Sequence, residues 1–122
     1  MEKVLGLGGV FFRADDPNAL AIWYRDHLGI DLVPKDIETP AWQQTAGTCV
    51  FAPFPKDTTY FNANKSVMLN FRVADIDAMV TQLEGAGVAV ARQNSMEGIG
   101  HFAHLEDPEG NPIELWEPVS AP

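Results

Sequence analysis

Apolar positions along the chain follow two periodicities, and the switch from one to the other marks the elements. Leu7 to Ala14 carries Val10-Phe11-Phe12, a short β-branched and aromatic run that predicts a buried strand. Asp16 and Pro17 then stand in the order of an N-cap and a first helical residue. Leu20, Trp23, Tyr24 and Leu28 follow at helical spacing on one face, and Gly29 supplies the left-handed stop. Asp31 to Pro34 reads as a short strand, and Ala41 to Pro53 as two short strands around Gly47. Pro53 to Lys65, rich in proline, threonine and asparagine, reads as a long surface loop of the kind that serves as a lid.

The same order then recurs. Val67 to Val73 is strand-like, and Asp75 caps a helix containing Ile76, Met79, Val80 and Leu83. Gly85 and Gly87 end that helix before a strand at Val88 to Ala91. Phe102 to Glu106 and Ile113 to Glu117 flank Asp107-Pro108-Glu109-Gly110-Asn111, whose proline and glycine mark a hairpin turn. Phe12-Arg13-Ala14-Asp15-Asp16 aligns with Phe71-Arg72-Val73-Ala74-Asp75, and Ala19-Leu20 with Ala78-Met79, at one constant offset of about sixty residues. The expectation is an α+β fold of two βαβββ modules, repeat one over about 4–55 and repeat two over about 66–118. Each module is too small to bury its sheet face alone, so the two pack together, or pair across a dimer, as a curved mixed sheet enclosing a cleft.

Length and charge narrow the function. With 122 residues the chain, 1–122, is one domain, and 46% hydrophobic against 20% charged residues predicts an ordinary packed core. A net charge of −9 has the wrong sign for phosphate backbones or anionic lipid, so nucleic acid and membrane surfaces are not expected partners. The single Cys49 forms no internal disulfide and is too little for a thiolate metal cage. With no leader-like stretch and no apolar span, the expected setting is cytoplasmic. Gly6-Leu7-Gly8-Gly9 lacks the spacing and the preceding strand of a dinucleotide loop.

Gly9 to Pro17, Trp23-Tyr24-Arg25-Asp26-His27-Leu28-Gly29, Phe71-Arg72-Val73 with Asp75, and Asp107 to Leu115 together resemble the vicinal oxygen chelate superfamily. That group includes glyoxalase I, extradiol dioxygenases, fosfomycin-resistance transferases and bleomycin-binding proteins. The resemblance spans nearly the whole chain, its final hairpin being the most specific part, and it implies a homodimer. In metal-using members it implies a divalent ion held by a His on the first strand, a His opening the second repeat and a Glu on the last strand. Here the Glu position is kept as Glu114, while the two His positions fall at Gly9 and Met68. Glycine has no side chain, and a thioether is a soft ligand ill-matched to that chemistry. His104 pairs with Glu114 as a possible weak ion site, but two ligands make a poor centre, so no metal and no cofactor are expected.

Strand alternation, read with that resemblance, aims Phe11, Met68, Asn70, Phe102, His104, Glu114 and Trp116 into the cleft. Aromatic area with a few polar anchors is the lining of a small-molecule pocket, and a small organic ligand is the expected partner. For Phe11, Met68, Phe102 and Trp116 the plain alternative is core packing. For Arg13 and Arg72 it is a salt bridge to a nearby aspartate. Glu114 resists such a reading, because a carboxylate inside a sheet face needs a partner. Two functions therefore stand: a metal-free binding protein of the bleomycin-resistance type, and a glyoxalase-like lyase or isomerase with Glu114 and His104 as its acid-base pair. A cavity that has lost its chemistry is the third, plainer outcome.

Overall fold

The structure, a computed structural model, describes residues 1–119. Helix α1 (Pro17–Leu28) begins where Asp16 accepts the Ala19 amide at 3.1 Å and ends at Gly29, whose φ of 71° is open to glycine. Strand β1 (Leu69–Arg72) leads into helix α2 (Ile76–Gly85), capped in the same way by Asp75 on the Ala78 amide at 3.0 Å. Strands β2 (Arg92–Met96), β3 (Gly100–Glu106) and β4 (Pro112–Pro118) complete the sheet. The second repeat is thus a βαβββ unit with strand order β1-β4-β3-β2, in which β1 runs parallel to β4 and the other pairs are antiparallel.

Both helices cover one face of this sheet. Leu20 and Tyr24 of α1 and Ile76, Val80 and Leu83 of α2 pack on Ala103, Leu105, Ile113 and Leu115. The β3–β4 turn is organised by Asp107, whose Oδ1 accepts the Glu109 and Asn111 amides at 2.9 and 3.0 Å. Its Oδ2 accepts the Asn111 side-chain amide and the Tyr24 hydroxyl, both at 2.7 Å. Burial, with the Asp107 carboxylate beside it, drives the Tyr24 phenol far above its ordinary pKa, so it stays a donor. Glu109 accepts the Asp15 and Asp16 amides, fixing the entry of α1 to the same turn.

The expected eight strands reduce to four among the described residues. The first repeat supplies α1, while Leu7 to Ala14, Asp31 to Pro34 and Ala41 to Pro53 run without ladder pairing. Their β-branched and aromatic composition suits strands, but they form no ladder with any strand of this sheet. Two bonds, from Arg72 Nη1 and Nη2 to the Ala46 and Thr45 carbonyls, tie the middle of the repeat to edge strand β1. A Cβ on Gly47 would overlap that guanidinium, so a larger residue there would make the Arg72 side chain shift. Phe11, Val50 and Phe51 are 95%, 68% and 83% exposed. The strand expected at Val88 to Ala91 instead starts at Arg92, after Ala91 donates to the His104 carbonyl at 2.8 Å.

Candidate functional site

The face of the sheet turned away from the helices carries a row of polar residues. Register places Asn70 opposite Glu114, Glu114 opposite His104, and His104 opposite Arg92, so one line of side chains crosses all four strands. The next row reads Arg72, Trp116, Phe102, Asn94. Within it the Phe102 and Trp116 rings lie nearly parallel, 6.3 Å apart, and the Trp116 indole donates to the Ile99 carbonyl at 3.0 Å. Gly100, at a φ of 141°, lets that corner close, since a Cβ there would collide with the Glu117 carbonyl oxygen.

Glu114 is the centre of the polar row. Its side chain is 8% exposed, and both oxygens are engaged: Asn70 Nδ2 donates to Oε1 at 2.7 Å and the Tyr60 hydroxyl to Oε2 at 2.5 Å. A buried carboxylate is tolerated when donors of this kind replace its water. His104 Nε2 lies 3.1 Å from Oε2, yet it is aimed so that it makes no hydrogen bond with any group, although the ring is 10% exposed. Burial lowers the His104 pKa below the ordinary imidazole value, against the opposing pull of Glu114 and with Arg92 adding to the lowering. The ring is therefore neutral at neutral pH.

Tyr60 reaches this row from the loop before β1. Its ring meets the His104 ring edge-on at 5.4 Å, and the Arg92 guanidinium sits 5.2 Å from its centroid. Burial, and then Glu114, push its phenol pKa up to about 12. Phe54 packs on both Tyr60 and Phe61, at 5.6 and 5.9 Å, and shapes the loop from behind. Beside Tyr60 lies a groove of about 180 Å³ lined by Phe61, Met68, Ala91, Arg92 and His104. A wider depression of about 640 Å³ borders the entry of α1, where Glu109 is already committed to backbone amides.

Of the residues expected in the cleft, Asn70, His104 and Glu114 come together, Phe102 and Trp116 stack in the adjoining row, and Met68 lines the groove. Phe11 does not join them. It stands in solvent because the segment that carries it pairs with no strand. Tyr60 and Arg92 were not expected from sequence: one acts through a loop contact and the other through the register of an edge strand. The available signal was the aromatic cluster Phe54, Tyr60 and Phe61 inside an otherwise polar loop.

The residues do not fit the metal centre that the resemblance implies. Among the described residues no group of three His, Cys, Asp or Glu side chains is placed to hold an ion. Glu114 turns both oxygens to Tyr60 and Asn70, and Gly9 has no ligand to offer.

The sequence of residues 9–116 matches the model of the glyoxalase-like domain. The chain belongs to that family. Among solved structures, this glyoxalase-like domain is similar to TnmS3, an antibiotic-binding protein from Streptomyces sp. CB03234, at 25% identity over 86% of this chain and 88% of that one, with a TM-score of 0.55. It is also similar to a glyoxylase/bleomycin resistance protein/dioxygenase domain from Frankia sp. EAN1pec, at 18% identity over 96% and 100% of the two chains and a TM-score of 0.61. A structure from the mobile metagenome of V. Pseudocholerae matches at 18% identity over 98% and 99%, with a TM-score of 0.64. The last two likenesses speak to the fold alone. No curated protein matches the chain. No helix among the described residues is long and apolar enough to cross a membrane.

Proposed function

We propose that this glyoxalase-like domain is a cytoplasmic small-molecule-binding protein that recognises its ligand without a metal. One observation carries the reading: a buried carboxylate, Glu114, sits in a row of Asn70, His104 and Arg92 and is held by side-chain donors where relatives are implied to grip a cation. Such a row offers an acceptor, a neutral imidazole and a cation on one sheet face beside apolar area from Met68, Phe102 and Trp116, which is the chemistry of a ligand site. The antibiotic-binding protein TnmS3, with 25% identity to this chain, supports the same class of function.

A homodimer completes the proposal. The accessible surface is 9536 Å². A compact monomer of this length exposes roughly 6,500 Å². The unpaired segments of the first repeat contribute to this excess, with Phe11, Val50 and Phe51 in solvent. An excess of about 3,000 Å² per chain, or about 6,000 Å² over two copies, lies at the upper end of what obligate dimer interfaces bury. Pairing these segments with a second copy gives Phe11 the covered place that its sequence suits.

A thermal-shift screen of planar, amphipathic compounds tests the binding reading, since a ligand of the native state raises the melting temperature by mass action. Hits on the wild-type chain that vanish in Glu114→Gln are the expected result. A screen with no hits, or hits indifferent to that substitution, overturns it. A second reading, a glyoxalase-like lyase or isomerase, is favoured by the neutral His104 ring 3.1 Å from Glu114, the arrangement of a base with its proton partner. It requires turnover that Glu114→Gln abolishes.

A further inference from the structure

We propose that the slot now filled by the Tyr60 side chain is a receptor for a free phenolic hydroxyl on a planar ring, and that Tyr60 is its intramolecular placeholder. The inference rests on the binding reading above and adds the class of ligand. Tyr60 is held by three groups from outside its own loop. Glu114 accepts its hydroxyl, His104 meets its ring edge-on, and Arg92 lies against its ring at 5.2 Å from the centroid. These contacts specify a hydroxylated aromatic ring: an anionic acceptor for the hydroxyl, a cation for the π-system and a ring to pack against its edge. None of them depends on the tyrosine backbone.

The fit is incomplete in one respect. His104 Nε2 is buried and has no hydrogen-bond partner, although it faces the same Glu114 oxygen that the Tyr60 hydroxyl occupies. A hydroxyl both donates and accepts, so a phenol placed between the two groups would donate to Glu114 and engage His104 as well. The Tyr60 hydroxyl bonds Glu114 alone and leaves His104 Nε2 without a partner, while its ring is held to the loop through its own backbone. A free phenol carries no such tether. The groove of about 180 Å³ beside Tyr60 continues the slot, so withdrawal of the Tyr60 ring opens one continuous space bounded by Met68, Phe61 and His104. Tyr60 is itself 38% exposed, which leaves its ring a route outward.

Competition between Tyr60 and ligand gives a signed prediction, because apparent affinity falls in proportion to the fraction of open protein. Isothermal titration with 2-naphthol, and with 2-methoxynaphthalene as the analogue lacking the donor, is run on wild type, Tyr60→Phe and Tyr60→Ala, with folding checked by circular dichroism. Tyr60→Ala is expected to bind 2-naphthol about tenfold tighter than wild type, with Tyr60→Phe in between. The methoxy analogue is expected to bind Tyr60→Ala about tenfold more weakly than 2-naphthol does. Unchanged or weaker naphthol binding in both variants overturns the proposal, because Tyr60 would then be wall and not placeholder. Equal binding of the two compounds overturns it too, because the slot would read shape alone. If the thermal-shift screen yields Glu114-dependent hits while 2-naphthol fails in all three proteins, the phenol inference falls and the binding function stands.

Discussion

His104 and Glu114 stand directly opposite each other on β3 and β4, with Nε2 3.1 Å from Oε2, and yet no hydrogen bond joins them. The imidazole is neutral in the fold because burial outweighs the carboxylate's attraction for a proton.

Stability is therefore expected to fall on acidification. With the folded pKa depressed, the unfolded chain takes up a proton near its ordinary value of 6.5 while the native chain resists. The contribution is intact above that value and is lost as pH falls below it toward the folded pKa. Urea unfolding at pH 7.5 and pH 5.0 should show a lower midpoint in acid for wild type, and a smaller decrease for His104→Gln. Equal decreases in the two proteins would contradict the assignment.

Tyr24→Phe removes one of the donors to Asp107 Oδ2 while keeping the ring in the core. A lost buried hydrogen bond to a charged acceptor costs about 1.5 to 3 kcal/mol. Chemical denaturation measures it, and ligand affinity should not change, because the hydroxyl lies on the helix side of the sheet.

Phe51→Asp places a charge in a segment whose apolar residues stand in solvent in the single chain. Light scattering after size exclusion is expected to give twice the mass of one chain for wild type and the mass of one chain for the variant. A monomeric wild type would refute the proposed pairing of the first repeat.

The second repeat was largely legible in the sequence, and the first only in part. Asp16 and Asp75 announced their helices because a cap is a local signal, read from a few adjacent residues. The hairpin around Asp107 to Asn111 was local as well. Strand pairing is not: Val10-Phe11-Phe12 prefers an extended backbone, but nothing in those residues names the edge it joins. Strand β2 escaped for the opposite reason, since Arg92-Gln93-Asn94-Ser95 has no apolar alternation to mark it. In the site, period-2 alternation placed Asn70, His104 and Glu114 on their faces, and register then aligned them. Tyr60, 54 residues from Glu114, reaches it through a loop that carries no periodic pattern.

Elemental analysis of the protein, purified without chelators, bears most directly on recognition by a donor-held carboxylate. The expected content is below about 0.1 equivalent of Ni, Zn, Fe or Mn per chain, since Glu114 and His104 alone are too few ligands for a tight site. One equivalent per chain that disappears in Glu114→Gln would contradict the account.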